Sequence, residues 1–148
     1  MVIGPPPWDA LVGQRCIRFA CWKAVVEIAK PWVLETLLRM REDFPSDHLV
    51  DIRYWPTLER GFVPGAKVGP HRDITRVKGR HRLYVAGAGS LPLFEPYREV
   101  REGETLDYST ELHSAQPATY TGPRLLLRLT QPDSLPLNRV TKPWSYRP

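Results

Sequence analysis

The chain has 148 residues and a mass of 17.0 kDa, enough for one domain with a buried core and crowded for two. Hydrophobic residues make up 42% and charged residues 25%, which excludes disorder over the whole length. Lys and Arg total 21 against 16 Asp and Glu, so the net charge of +5 permits an anionic partner without demanding one.

From the N-terminus, Pro5, Pro6 and Pro7 form a stiff leader with no basic start and apolar core of the kind that marks a secretory signal. Residues 16–22 (CIRFACW) have strand composition, with Arg18 expected to face outward. Cys16 and Cys21 are the two cysteines; their spacing puts them on opposite faces of a strand, so no bridge between them is expected. Residues 24–29 read equally as strand or helix. Residues 31–42 are the clearest helix: Pro31 suits the first helical position, and Val33, Leu34, Leu37 and Leu38 form an apolar stripe.

Beyond Pro45 the pattern changes. Residues 49–55 alternate, with Val50, Ile52 and Tyr54 on one face and Asp51, Arg53 and Trp55 on the other. Further strands are expected over 82–86, 92–94, 105–108, 112–115 and 124–130, with turns at 102–104 and 121–123. Gly and Pro mark 56–65 and 87–90 as candidate mobile rims. A Pro-rich irregular tail is expected from about 131. Charge-free stretches reach twelve residues at most, against the roughly twenty that a membrane helix needs. A single domain over 1–148 is expected, with a cytoplasmic location and no membrane partner. One N-terminal helix followed by many short strands predicts a mainly β (α+β) fold, closed as a barrel or jelly roll.

Two of the four histidines sit in informative places. In the extended segment Val-Gly-Pro-His71-Arg-Asp73, residues i and i+2 share a face, so His71 and Asp73 suit one metal ion. A plain turn capped by Asp73 is the alternative. His113 is the second, a distal ligand or a core histidine, with Glu111 a weaker carboxylate candidate on the same face. Two His and one carboxylate form a facial triad that leaves three positions open on Fe(II). Arg124 follows a Gly-Pro turn and shares a face with Leu126 and Arg128. An inward guanidinium there needs a carboxylate, from the protein or from a bound dicarboxylate. His48 is expected to be exposed and idle, and the five Trp to be packing anchors.

His-x-Asp, a distal His, and an Arg about ten residues further on after a Gly turn together resemble the Fe(II)/2-oxoglutarate-dependent dioxygenases. The Pro-Gly segment over 62–73 resembles the loop before the iron motif in several hydroxylases of this group, within which the chain resembles prolyl-hydroxylase-like members among others. Arg80 and the stretch Arg82-Leu83-Tyr84-Val85 resemble the strand after the first His in aspartyl/asparaginyl β-hydroxylase-like members. The resemblance spans about 54–130. It implies a double-stranded β-helix (a jelly-roll, cupin-like barrel). It implies His71, Asp73 and His113 as iron ligands and Arg124, with Arg128 the substitute, as anchor for 2-oxoglutarate. Arg80 and Tyr54 are further cosubstrate contacts to consider. The activity implied is hydroxylation of an unactivated C–H bond, consuming O2 and converting 2-oxoglutarate to succinate and CO2. An amino acid, free or in a peptide or protein, is the substrate that this likeness suggests. The alternative is a non-catalytic basic β-barrel module binding nucleic acid or another anionic partner. Nucleic acid is not favoured, because basic residues are interspersed with acids and no aromatic-basic signature appears.

Overall fold

The structure, a computed structural model, describes residues 1–64, 70–72, 79–89, 91–95, 97–98, 100–108, 110–131 and 141–146. A 3-10 turn at Trp8–Leu11 leads into strand β1 (Ile17–Ala20), helices α1 (Trp22–Ile28) and α2 (Pro31–Met40), and strand β2 (Leu49–Leu58). Then come β3 (His81–Gly87), β4 (Leu93–Glu95), β5 (Thr105–Tyr108), β6 (Leu112–Ser114) and β7 (Gly122–Thr130). The fold is thus mainly antiparallel β with two short helices. No helix among the described residues is long and apolar enough to cross a membrane.

Of residues 24–29, ambiguous by pattern, 24–28 belong to α1 and Ala29 caps its C-terminus. Gln14 holds the join between the helices: its side-chain oxygen accepts the Lys30 N–H (2.7 Å) and its nitrogen donates to Ile28 O (3.2 Å). Pro31 opens α2 as expected. The buried face of α2 differs from the expected stripe. Val33 and Leu37 are buried with Thr36 and Met40, while Leu38 is exposed. Thr36 meets this burial by donating to Trp32 O (2.8 Å), which is why a polar residue sits on the inner face.

Five strands form the main sheet in the order β1-β2-β7-β3-β5, and β4 and β6 form a smaller one. The smaller sheet is widened by a bridge between His71 and His113. The pairings nest about the middle of the chain: β2 with β7, inside it His71 with His113, and inside that β3 with β5. Alternation gives the main sheet two unlike faces. Val50, Ile52, Tyr54, Tyr84, Ala86, Leu125, Leu127 and Leu129 face the helices and form the core with Val25, Val33, Leu37 and Met40. Residues between them in sequence face the smaller sheet.

Four local expectations are corrected. The turn expected at 121–123 lies two residues earlier, at 119–121, because Gly122 and Pro123 already belong to β7. Of the expected rim at 87–90, residues 87–89 are tied down. Gly87 N–H donates to Glu102 Oε1 (2.9 Å), Ala88 N–H donates to Pro123 O (2.8 Å), and Gly89 O accepts from Arg124. His48 is not idle: it accepts the Trp22 indole N–H (2.8 Å) and its other ring nitrogen meets Pro45 O (2.5 Å). The strand expected over 16–22 contracts to β1, because Cys16 pairs its backbone with Trp144 and Trp22 starts α1. Both cysteines are free, Cys16 buried and Cys21 exposed. Most of the tail from 131 lies outside the described residues. Trp8, Trp22 and Trp32 pack against the core, as expected of anchors.

Candidate functional site

A cavity of about 510 Å³ lies between the two sheets. Leu83, Val85 and Leu126 give it an apolar wall from the main sheet, and His71 and His113 close it from the smaller one.

His71 and His113, far apart in sequence, are cross-strand partners. Each donates its backbone N–H to the other's carbonyl (2.8 and 2.9 Å), and their ring centroids are 4.6 Å apart. At that spacing both imidazoles can reach one metal ion. His113 is nearly buried, with the rings of Tyr108 (4.7 Å) and Phe94 (5.6 Å) against its own. Its Nδ1 lies 2.9 Å from Glu111 O. A carbonyl only accepts, so Nδ1 carries a proton, and Nε2 is the ring nitrogen through which the neutral imidazole would ligate a metal. Asp73, expected as the carboxylate ligand, lies outside the described residues. Among the described residues no three His, Cys, Asp or Glu side chains converge on one point. Glu111, the alternative carboxylate, instead pairs with Arg98.

Arg124 rises from the start of β7 into the cavity and is 4% exposed. Its Nε donates to Gly89 O (3.1 Å), and its guanidinium lies 4.8 Å from the centroid of the Trp55 ring. Among the described residues it has no carboxylate partner. Burial, with the Arg53 charge beside it, pushes its pKa down to about 9, while Tyr146 pulls the other way. The shift reflects a guanidinium removed from water without an anion. Arg128 also faces the cavity, but its fork is engaged by Asp51 Oδ2 (Nε at 2.7 Å, Nη2 at 2.5 Å). The two arginines, equivalent by alternation, are therefore unlike in the fold.

The remaining expected contacts lie elsewhere. Arg80 is half exposed and pairs with Asp107 (2.9 Å) at the β3–β5 edge, away from the cavity lining. Tyr54 is buried on the helix-facing side of β2, because Asp51, Arg53 and Trp55 take the opposite side. On that strand the site residues are Arg53, which lines the cavity, and Trp55, whose ring lies against Arg124. The 49–55 alternation had already separated these two from Tyr54.

Arg18, expected outside, also lines the cavity. The register of β1 shifts between Ile17 and Ala20, where Phe19 adopts a positive φ of 50°. A bulge of this kind re-aims the side chains around it, and nothing in the composition of the strand announces it. Tyr146, from the C-terminal tail, stacks on Trp55 (4.7 Å, 18°) and accepts from Arg53 (2.8 and 3.3 Å). No local pattern links a tail tyrosine to a strand so distant in sequence.

Comparison of the chain with protein-family models, with curated proteins and with solved structures finds no match. The geometry therefore carries the chemistry alone: two imidazoles suited to one divalent ion, beside a buried guanidinium suited to a carboxylate.

Proposed function

We propose that the chain is a non-haem Fe(II)- and 2-oxoglutarate-dependent oxygenase on a double-stranded β-helix. The observation that carries this reading is the pairing of His71 with His113 at a cavity that also holds Arg124. The nested strand pairings support the fold assignment. A ribbon coiled into two sheets puts its first strand beside its last and its second beside its penultimate.

His71, His113 and Asp73 would hold the iron, and Arg124 would take the far carboxylate of 2-oxoglutarate through its fork. When bound, iron, cosubstrate and O2 supply the oxidising power to hydroxylate an unactivated C–H bond, leaving succinate and CO2. The chain's own residues bind and position. Glu111 O fixes the His113 tautomer, and Phe94 and Tyr108 hold its ring. Leu83, Val85 and Leu126 line the cavity with apolar surface. The substrate class, an amino acid, free or in a peptide or protein, rests on the likeness of the 62–73 segment and the strand after it to hydroxylases of this group.

The test is anaerobic titration of metal-free protein with Fe(II) and 2-oxoglutarate, following the visible charge-transfer band of the chelate. The band is expected in wild type, absent in His71→Ala and weakened in Arg124→Ala. A folded wild-type protein with no band overturns the proposal. The second reading, an anion-binding module without catalysis, is favoured by one observation: four arginines line the cavity. It predicts anion binding indifferent to iron.

A further inference from the structure

The main sheet presents four guanidiniums to the cavity: Arg18 from β1, Arg53 from β2, and Arg124 and Arg128 from β7. No Asp or Glu is among the described lining residues. The one buried carboxylate at hand, Asp51, is committed to Arg128 and to the Phe19 N–H (2.6 Å). Arg18 keeps a buried Nε without a hydrogen-bond partner among the described residues. Arg53 directs two N–H groups at one neutral hydroxyl, that of Tyr146. A cosubstrate carboxylate on Arg124 leaves Arg53 without a carboxylate and Arg18 with only the charge of Asp51, which is already bound to Arg128. Partly buried guanidiniums crowded in this way are stabilised when an anion joins them.

The outer surface shows the contrast. Arg80 and Arg82 pair with Asp107, and Arg98 pairs with Glu111. Arg18, Arg53 and Arg124, by contrast, line one cavity with no carboxylate ion-pair partner among the described residues, a concentration of charge that suits a small anion. A volume of about 510 Å³ lies in the range of small-molecule sites, with room for the cosubstrate and a compact second molecule.

We propose that Arg18 and Arg53 form a second oxyanion subsite, separate from Arg124, and that the substrate is a small molecule carrying a carboxylate or phosphate group. The assignment of that anion as substrate rests on the oxygenase reading; the subsite itself does not.

The experiment is titration calorimetry on the full chain saturated with Mn(II) and 2-oxoglutarate, with inorganic phosphate and with malonate as separate probes. At least one probe is expected to bind without displacing 2-oxoglutarate, and the tighter of the two identifies the group recognised. In Arg18→Gln and in Arg53→Gln its affinity should fall about tenfold or more, as expected for loss of a charge-assisted fork. Both variants should still bind 2-oxoglutarate, which also reports that each is folded, with the smaller change in Arg18→Gln because Arg53 lies beside Arg124 and shares Trp55 with it. Arg53→Lys, which keeps the charge, should retain part of the binding. The subsite is overturned if neither probe binds, if both bind only by displacing 2-oxoglutarate, or if the glutamine variants bind them as wild type does. If 2-oxoglutarate itself fails to bind while a probe binds through Arg18 and Arg53, the oxygenase reading falls and the subsite stands.

Discussion

Asp51 is 1% exposed and holds three things at once: the Arg128 fork, the Phe19 N–H and, through that bond, the bulge in β1. Its charge also opposes the loss of the Arg18 proton, which burial favours. Removing one partner of a buried pair strands the other, so Asp51→Ala should cost about 3–5 kcal/mol, measured by urea unfolding. Replacing both partners together, as Asp51→Leu with Arg128→Met, should cost less than the single change. A single variant as stable as wild type would show that Arg128 finds another anion. At this scale the sequence was legible in part. The alternation of 49–55 and 124–130 placed Asp51 and Arg128 each on a defined face. That those faces meet is a matter of register, Asp51 opposite Arg128, which no local pattern contains.

Among the elements, the β3–β5 edge shows charge used for fastening. Arg82 reaches Asp107 on β5 and donates to Met40 O (2.6 Å) and Glu42 O (2.7 Å) beyond α2, so one side chain ties sheet to helix. Burial works to raise the Asp107 carboxyl, but the hydrogen bonds and charges of Arg82 and Arg80 outweigh it and hold the group below its ordinary value. A carboxylate depressed in the folded state contributes stability above its unfolded pKa, near about 3.9, and loses it as pH falls through the lower folded value. Asp107→Asn should therefore cost about 1 kcal/mol or less at pH 7, the pair being partly exposed. The gap to wild type in thermal unfolding should shrink below about pH 4; a gap constant down to pH 2 would refute the assignment. The expected strands at 82–86, 105–108, 112–115 and 124–130 each match a strand within two residues at either end, because period-two patterning is a local signal. The buried face of α2 keeps Val33 and Leu37 of the apolar stripe but takes Thr36 and Met40 in place of Leu34 and Leu38, because how the helix seats on the sheet decides its inner face.

For the whole molecule, the cavity exists because two sheets of unequal size are stacked by nested pairing. Ligands that bind between them should oppose unfolding of both. Fe(II) and 2-oxoglutarate, each at about a hundred times its dissociation constant, should stabilise the fold by about 2.7 kcal/mol apiece, visible as a rise in anaerobic Tm. His113→Ala should abolish the iron-dependent part of that rise. An equal rise in His113→Ala would place any metal elsewhere.

By itself the sequence determined the local quantities: strand and helix periods, the opposed faces of 49–55 and 124–130, and the candidacy of His71, His113 and Arg124. Each follows from side-chain spacing along a few residues, which the backbone period converts directly into direction. Only the tertiary structure decided what depends on distant segments meeting. It set His71 beside His113, gave Arg128 a carboxylate that Arg124 lacks among the described residues, turned Tyr54 into the helix core, drew Arg18 to the cavity and laid Tyr146 on Arg53. Register, bulge and burial set those outcomes, because the energy of a buried charge depends on which partner the fold brings within reach.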